Sequence, residues 1–110
     1  MGEWLDWAQC AAALGVSVSR VRRLLQEHQL AGAVTSREAG PRIPAALIQD
    51  GAIVKGVPGL LTMLHDGRYD DGEILTWLFS EDESLPGRPI DALRDNRGSE
   101  VKRRAQAMAL

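Results

Sequence analysis

The stretch of sequence that decides the fold is LGVSVSRVRRLL, residues 14–25, which follows the small-residue run CAAA, residues 10–13. Gly15 stands where the chain would leave a first helix, a position that commonly requires a positive φ. Ser17 carries a hydroxyl that accepts a hydrogen bond from the unpaired N–H groups at the start of a second helix. The pattern therefore predicts two helices joined by a tight turn, which is a helix-turn-helix.

The first of these helices is predicted to run from about Asp6 to Leu14. The carboxylate of Asp6 suits the N-cap position because it accepts from the N–H groups of the first turn. Alanines on this helix allow a second helix to cross it closely, and we expect Val16 to fill the space between the two.

The second helix is predicted to run from Val18 to about Gln29, with two different faces. At 100° per residue, its apolar face collects Val21, Leu24, Leu25 and His28. The opposite face collects Ser19, Arg22, Arg23 and Gln26, with Arg20 to one side beside Glu27. Arginine can form bidentate hydrogen bonds with guanine edges and phosphates, and glutamine can pair with adenine. This face of the helix therefore favours binding to the major groove of DNA. The alternative is an ordinary amphipathic helix with a solvated basic face.

A small hairpin is predicted directly after the second helix. Residues 33–35 and 42–44 have the character of two short strands joined by a turn, and residues 45–49 restart as a short helix. A helix-turn-helix followed by a hairpin is a winged helix. Arg37 and Arg42 would lie on this wing, where they could reach phosphates or the minor groove. A surface loop with two solvated arginines is the alternative.

The second half of the chain is predicted to be helical. The breaker cluster KGVPG, residues 55–59, is the best boundary candidate, and it divides the chain into residues 1–54 and 55–110. Asp70 and Glu73 have the spacing of an acidic capping box. The predicted helices lie near residues 60–64, 71–79, 88–95 and 100–109, the last capped by Ser99. The expected large core anchors are Trp4, Trp7, Tyr69, Trp77 and Phe79. The fold class is therefore mainly α: a winged helix-turn-helix with a small β-hairpin wing, followed by a C-terminal helical bundle.

The charge of the chain is unevenly distributed. Its net charge is −2, yet the five arginines of residues 1–54 all fall on the predicted second helix and wing. Residues 56–87 carry one basic and seven acidic side chains, so this middle segment should face away from phosphate. A modest basic patch also predicts a binding affinity that depends strongly on salt.

The sequence contains no catalytic motif, so no enzymatic activity is predicted. A nucleophile elbow, a P-loop and a dinucleotide-binding fingerprint are all absent. His28 and His65 are far apart, and the single Cys10 has no zinc-ligand spacing around it. An acidic cluster could hold a divalent cation, and its members are Asp66, Asp70, Asp71 and Glu73. Its glycine and spacing do not match a calcium loop, and two of its members are better explained as helix caps, so neither a metal nor a cofactor is expected. One cysteine, no apolar run of membrane-spanning length and no signal-peptide pattern favour a cytoplasmic location.

Two sets of residues resemble known families. LGVS (residues 14–17) and RIP (residues 42–44) are similar to the winged helix-turn-helix of excisionase-like and MerR-like regulators. The segment from VPGLLTMLHDG (residues 57–67) through WLF (residues 77–79) and RPIDAL (residues 88–93) resembles more specifically a family of small actinobacterial DNA-binding proteins, the mycobacterial regulators among them. In that family a winged helix precedes a C-terminal helical domain. The resemblance implies sequence-specific binding of double-stranded DNA and transcriptional regulation.

A narrower resemblance supports an alternative function. Trp77-Leu78, Leu85 with its following glycine and proline, Leu93 and Val101 are similar to the toxin-binding domain of certain bacterial antitoxins. This resemblance implies a protein partner or self-association through residues 70–110.

For the DNA-binding interpretation, Ser19, Arg22, Arg23 and Gln26 are expected to line the major groove. The residues expected to hold phosphates are Ser17, Arg20, Arg37 and Arg42.

Overall fold

The computed structural model describes residues 3–34, 40–83, 85 and 87–110. The first half contains β1 (Trp4–Leu5), α1 (Trp7–Leu14), α2 (Val18–Gln26), β2 (Ala33–Val34), β3 (Pro41–Pro44), a 3-10 turn (Ala45–Leu47), β4 (Ile48–Gln49) and β5 (Ala52–Ile53). The second half contains α3 (Val57–Asp66), α4 (Asp71–Leu78), α5 (Pro89–Arg94) and α6 (Gly98–Met108). The predicted fold class, mainly α with a winged helix-turn-helix in front, is confirmed.

The helix-turn-helix forms through local caps that the sequence predicts. The Asp6 carboxylate accepts from the backbone N–H of Gln9 at 2.8 Å, while the Gln9 side chain accepts from the N–H of Asp6 at 2.9 Å. Gly15 ends α1 with a φ of 69°, and the Ser17 hydroxyl accepts from the N–H of Arg20 at 3.1 Å at the start of α2. Each bond satisfies a backbone group that the helix itself leaves unpaired.

The end of α2 differs from the prediction. The helix ends at Gln26 rather than Gln29, and His28 has a φ of 58° in the left-handed region. The carbonyl of Leu24 accepts from the N–H groups of both Gln29, at 2.8 Å, and Leu30, at 3.3 Å, so the chain turns away there. His28 is therefore exposed. The prediction that it belongs to the apolar face of α2 is wrong. Val16, which was expected to fill the space between the two helices, is 38% exposed.

A three-stranded antiparallel sheet in the order β1-β3-β2 supports the wing. The β2–β3 pair is the predicted hairpin, with Ala33 opposite Arg42. Residues 35–39 of the predicted wing lie outside the described residues. The added strand β1 was not predicted, and it places Trp4 opposite Pro44.

The short helix predicted over residues 45–49 is wrong. Only Ala45–Leu47 form a single 3-10 turn, and the chain then enters the hairpin β4–β5, in which Ile48 pairs with Ile53. Asp50 and Gly51 take φ values of 54° and 79° between the two strands. Two successive residues of positive φ are the geometry of a type I′ turn, whose twist matches that of the flanking strands.

All four predicted C-terminal helices are present, but α3 begins at Val57, inside the predicted breaker cluster, rather than at Leu60, and one predicted cap differs. Asp70 and Glu73 form the predicted capping box of α4, with the Asp70 carboxylate 2.8 Å from the N–H of Glu73. Pro89 opens α5 at the first-turn position that tolerates proline. Ser99 is not the cap of α6, because that helix already begins at Gly98 and Arg97 occupies the N-cap position without a side-chain hydrogen bond.

One hydrophobic core runs through both halves of the chain. It includes Val21 and Leu30 from the first half and Leu61, Ile74 and Leu93 from the second, all 3% exposed or less. The predicted aromatic anchors do not occupy its centre. Trp7, Tyr69, Trp77 and Phe79 are half-buried against the core, and Trp4 is half-buried on β1. Throughout the described part of the chain, no helix has the length and apolar character needed to cross a membrane.

Candidate nucleic-acid interface

The outer face of α2 carries the largest group of predicted site residues. All four side chains expected to line the major groove are exposed: Ser19, Arg22, Arg23 and Gln26. The opposite face of the helix is anchored in the core by Val21 and Leu24, which are 0% and 8% exposed. The helix is therefore held by one side while the arginine-bearing side faces solvent, and the C-terminal helices do not cover it.

Two of the predicted phosphate-contacting residues already have partners at the start of α2. The Ser17 oxygen accepts the capping hydrogen bond from Arg20, which leaves the hydroxyl hydrogen available as a donor. The Arg20 guanidinium lies 4.0 Å from the Glu27 carboxylate, and both side chains are about half exposed. An exposed ion pair of this kind contributes less than about 1 kcal/mol, so another anion can displace Glu27.

Trp7 connects the outer face of α2 to the base of the wing. The Arg22 guanidinium carbon lies 5.4 Å from the centroid of the Trp7 ring, within the range of a cation–π contact. A Cβ placed on Gly40 would come within 3.3 Å of the indole nitrogen of the same ring. A glycine therefore allows the wing strand to approach this ring closely, and the ring in turn restrains Arg22. The sequence predicts Trp7 only as a core anchor and contains no signal of this role.

The wing contributes one described candidate. Arg42 lies on β3 with its side chain 34% exposed, and its guanidinium is 3.8 Å from the carboxylate of Asp6, the N-cap of α1. The other wing candidate, Arg37, lies outside the described residues. Arg42 is thus on the same side of the sheet as the start of α1, next to the helix-turn-helix.

The residues that carry the antitoxin resemblance are engaged within the chain itself. Leu85, Leu93 and Val101 are between 0% and 3% exposed and belong to the core. These three side chains are therefore not available to a partner, whereas Trp77 is half-buried. A protein partner for residues 70–110 therefore stays a prediction.

One cluster was missed entirely by the sequence analysis. The rings of His28 and His65, separated by the whole wing in sequence, stack with their centroids 3.8 Å apart. Nε2 of His65 lies 2.6 Å from a carboxylate oxygen of Asp71. Sequence spacing reveals metal ligands only when they lie close together in the sequence. His28 and His65 are brought together only by the tertiary fold, so the sequence gives no sign of this cluster.

Comparison with known proteins gives matches over nearly the whole chain. A family model described as "DNA-binding protein Rv2175c, wHTH domain" matches residues 2–48, and one described as "Rv2175c C-terminal domain of unknown function" matches residues 54–109. The chain is similar to the DNA-binding protein Rv2175c of Mycobacterium tuberculosis, with 44% identity over 117 residues, 94% of this chain and 79% of the relative. The NMR structure of Rv2175c is similar with a TM-score of 0.87 and 42% identity, covering 98% of this chain and 82% of that one.

Proposed function

Because the chain belongs to the Rv2175c family, whose winged helix-turn-helix domain and C-terminal domain it carries in order, we propose that it binds double-stranded DNA in a sequence-specific manner and regulates transcription. The relative in Mycobacterium tuberculosis is named as a DNA-binding protein. The observation that carries the proposal is the open outer face of α2, which presents Arg22, Arg23 and Gln26 to solvent.

The dimensions of α2 suit the major groove. An α-helix with its side chains is about 10 to 12 Å across, and the major groove of B-form DNA is about 12 Å wide and admits one helix. Arg22, Arg23, Gln26 and Ser19 would face the base edges. Arginine recognises guanine through two parallel hydrogen bonds, and glutamine recognises adenine in the same way. The Trp7 ring limits the positions of the Arg22 side chain, which lowers the entropy lost when it binds.

The residues around this face would hold the phosphates on either side of the groove. Ser17 can donate its hydroxyl hydrogen, and Arg20 and Arg42 can exchange their carboxylate partners, Glu27 and Asp6, for phosphate oxygens. Arg37 remains in the proposed set as a second wing contact. Since the whole chain has a net charge of −2, this local arginine patch must supply the attraction to DNA, and added salt should weaken binding steeply.

Selection of bound sites from random duplexes, followed by titration of an enriched duplex at several salt concentrations, tests this proposal. We expect one enriched sequence; Arg22→Ala and Arg23→Ala should each weaken binding by about 1 to 3 kcal/mol where the arginine reads a base. Arg20→Ala should weaken binding to all duplexes alike and lower the salt slope by about one unit.

Arg103→Ala provides the matched control, because it removes an exposed arginine from α6 in the other half of the chain. It should leave affinity and salt slope within error. Unchanged duplex binding by the triple variant with alanine at positions 20, 22 and 23 would contradict the proposed interface. Absence of any enriched sequence would contradict sequence specificity and return weight to the protein-binding alternative.

A further inference from the structure

From the cluster of His28, His65 and Asp71 we infer that this chain has a binding site for a divalent metal ion such as Zn²⁺ at the junction between its two halves. Each residue offers one ligand atom, and the three ligand atoms all lie within 4.8 Å of one another. Two imidazoles and one carboxylate are a ligand set that zinc and its neighbours in the first transition row prefer.

The geometry requires only a small adjustment to accept an ion. Ligand atoms around tetrahedral zinc are separated by about 3.3 Å, given bonds of about 2.0 to 2.1 Å. The 2.6 Å contact between Nε2 of His65 and Oδ1 of Asp71 would open slightly as the ion replaces the shared proton. His28 would have to move more, because its ring now faces the ring of His65 at an angle of 26°, and an ion must lie in the plane of each ring. Its exposed position leaves the side chain free to turn.

The backbone at His28 decides where its ring lies. The chain takes a φ of 58° there, directly after α2, where the left-handed region favours glycine. A histidine in this conformation costs stability relative to glycine. The same conformation occurs after α3 at Arg68 and after α5 at Asn96, so it marks the end of a helix. Because the chain leaves the helical path at this residue, the ring lies beside His65 instead of on the apolar face that the periodicity of α2 predicts.

Asp71 is oriented by a second contact. Its other carboxylate oxygen accepts from the backbone N–H of Gly32 at 3.2 Å. Groups that hold a ligand from behind fix its direction and raise the affinity of the site. Because Gly32 lies between α2 and β2, and Asp71 opens α4, an ion at this site would link the helix-turn-helix to the C-terminal helices. A water molecule would complete the coordination.

The single thiol of the chain does not compete for the ion. Cys10 is fully buried in the core, and burial raises the pKa of its thiol. A thiolate is the form that binds metals, so this residue stays out of reach and in the wrong protonation state.

Titration of the full chain with Zn²⁺ tests the site by two measurements that involve no DNA, so its failure would be distinct from a failure of the proposed function. The chain has two histidines, and imidazole ¹H–¹⁵N spectra therefore contain one signal set for each. We expect both sets to shift with one equivalent of Zn²⁺ as the stacked rings separate. Zn²⁺ at a hundredfold excess over its Kd should raise the Tm by about 10 °C or more.

His28→Gly removes a ligand and relieves the backbone strain, so it should fold at least as well as the natural chain but weaken Zn²⁺ binding at least tenfold. His65→Gln should also weaken binding at least tenfold. Asp66→Asn is the matched control, because this exposed carboxylate adjoins His65 outside the cluster, and binding should not change. Unshifted histidine signals at millimolar Zn²⁺ would overturn the site. So would undiminished binding by His28→Gly, or binding reduced by Asp66→Asn.

Discussion

Substitution of Gly15 and of Gly59 by alanine distinguishes two effects on stability: the backbone conformation at the glycine and the room available for a side chain. A Cβ on either glycine would meet no atom within 4 Å beyond its own neighbours, but Gly15 has a φ of 69° while Gly59 lies inside α3. Gly15→Ala should therefore lower the free energy of unfolding by about 1 to 2 kcal/mol, because an L side chain is strained in that region. Gly59→Ala should raise it by up to about 1 kcal/mol, because alanine favours the helix.

Urea unfolding of the two variants measures both free energies. Since neither methyl group meets a neighbour, a loss of stability in Gly59→Ala as large as that in Gly15→Ala would mean that space, rather than φ, limits these positions.

The residue scale also shows where prediction from the sequence ends. The contacts of Asp6 and Ser17 were predictable because their partners, Gln9 and Arg20, lie three residues away. The contact of Trp7 with Arg22, and that of His28 with His65, depend on how α1, α2 and α3 cross. The spacing of residues along the sequence does not show how helices cross. These two contacts could therefore not be predicted from the sequence.

At the scale of the element, α5 is stabilised by an ion pair at its start. The Arg88 guanidinium donates to both oxygens of Asp91, at 2.9 and 2.8 Å, and the pair lies in the first turn of the helix. The hydrogen bonds from Arg88 hold the pKa of the Asp91 carboxyl below its ordinary value. A two-bonded arginine–carboxylate pair has the better geometry among exposed ion pairs.

Asp91→Asn removes the charge and keeps an oxygen that can accept from the backbone of Arg88. Because the pKa of Asp91 is lower in the folded chain than in the unfolded chain, its contribution is fully present above the unfolded value, near 4. The contribution disappears as the pH falls through the folded value. At pH 7 the variant should be less stable by about 1 kcal/mol or less, since the pair is exposed to solvent.

Urea unfolding at a series of pH values measures this difference, which should shrink as the pH falls below about 4. Arg88→Gln removes the same pair together with the contact of the Arg88 guanidinium with the Phe79 ring, whose centroid is 5.4 Å away, so the double variant should lose little beyond Arg88→Gln alone. A difference between the natural chain and Asp91→Asn that stayed constant down to pH 2 would contradict the assignment.

The elements were predicted best where they are long and capped. Helices α2, α3 and α4 show apolar residues with helical spacing, and α4 adds the capping box of Asp70 and Glu73. The strands β1, β4 and β5 have two residues each, too few to show the alternation that identifies a strand. The Asp50-Gly51 turn was the one available signal for the β4–β5 hairpin.

At the scale of the whole molecule, the two halves are joined by polar contacts as well as by the core. The guanidinium of Arg94 on α5 donates to the carbonyls of Ala46, at 2.8 Å, and Ile48, at 3.0 Å, in the first half. Composition allowed either packing between the halves or an external partner, because neither half alone has enough apolar residues for a large core. Which of these applies depends on three-dimensional complementarity that a linear sequence does not show.

The shared core predicts that the chain unfolds in one step, although its family is described by two domains. Trp4 and Trp7 report on the first half and Trp77 on the second, so variants that keep tryptophan in one half only follow each half by fluorescence. In Trp77→Phe, and separately in the double variant Trp4→Phe/Trp7→Phe, the urea midpoint from fluorescence should equal the midpoint from far-UV circular dichroism on the same sample. Because both midpoints are measured on the same variant, any loss of stability caused by the substitution lowers both of them equally. Two separated midpoints in either variant would show that residues 1–54 and 55–110 unfold independently and that the contacts between them add little stability.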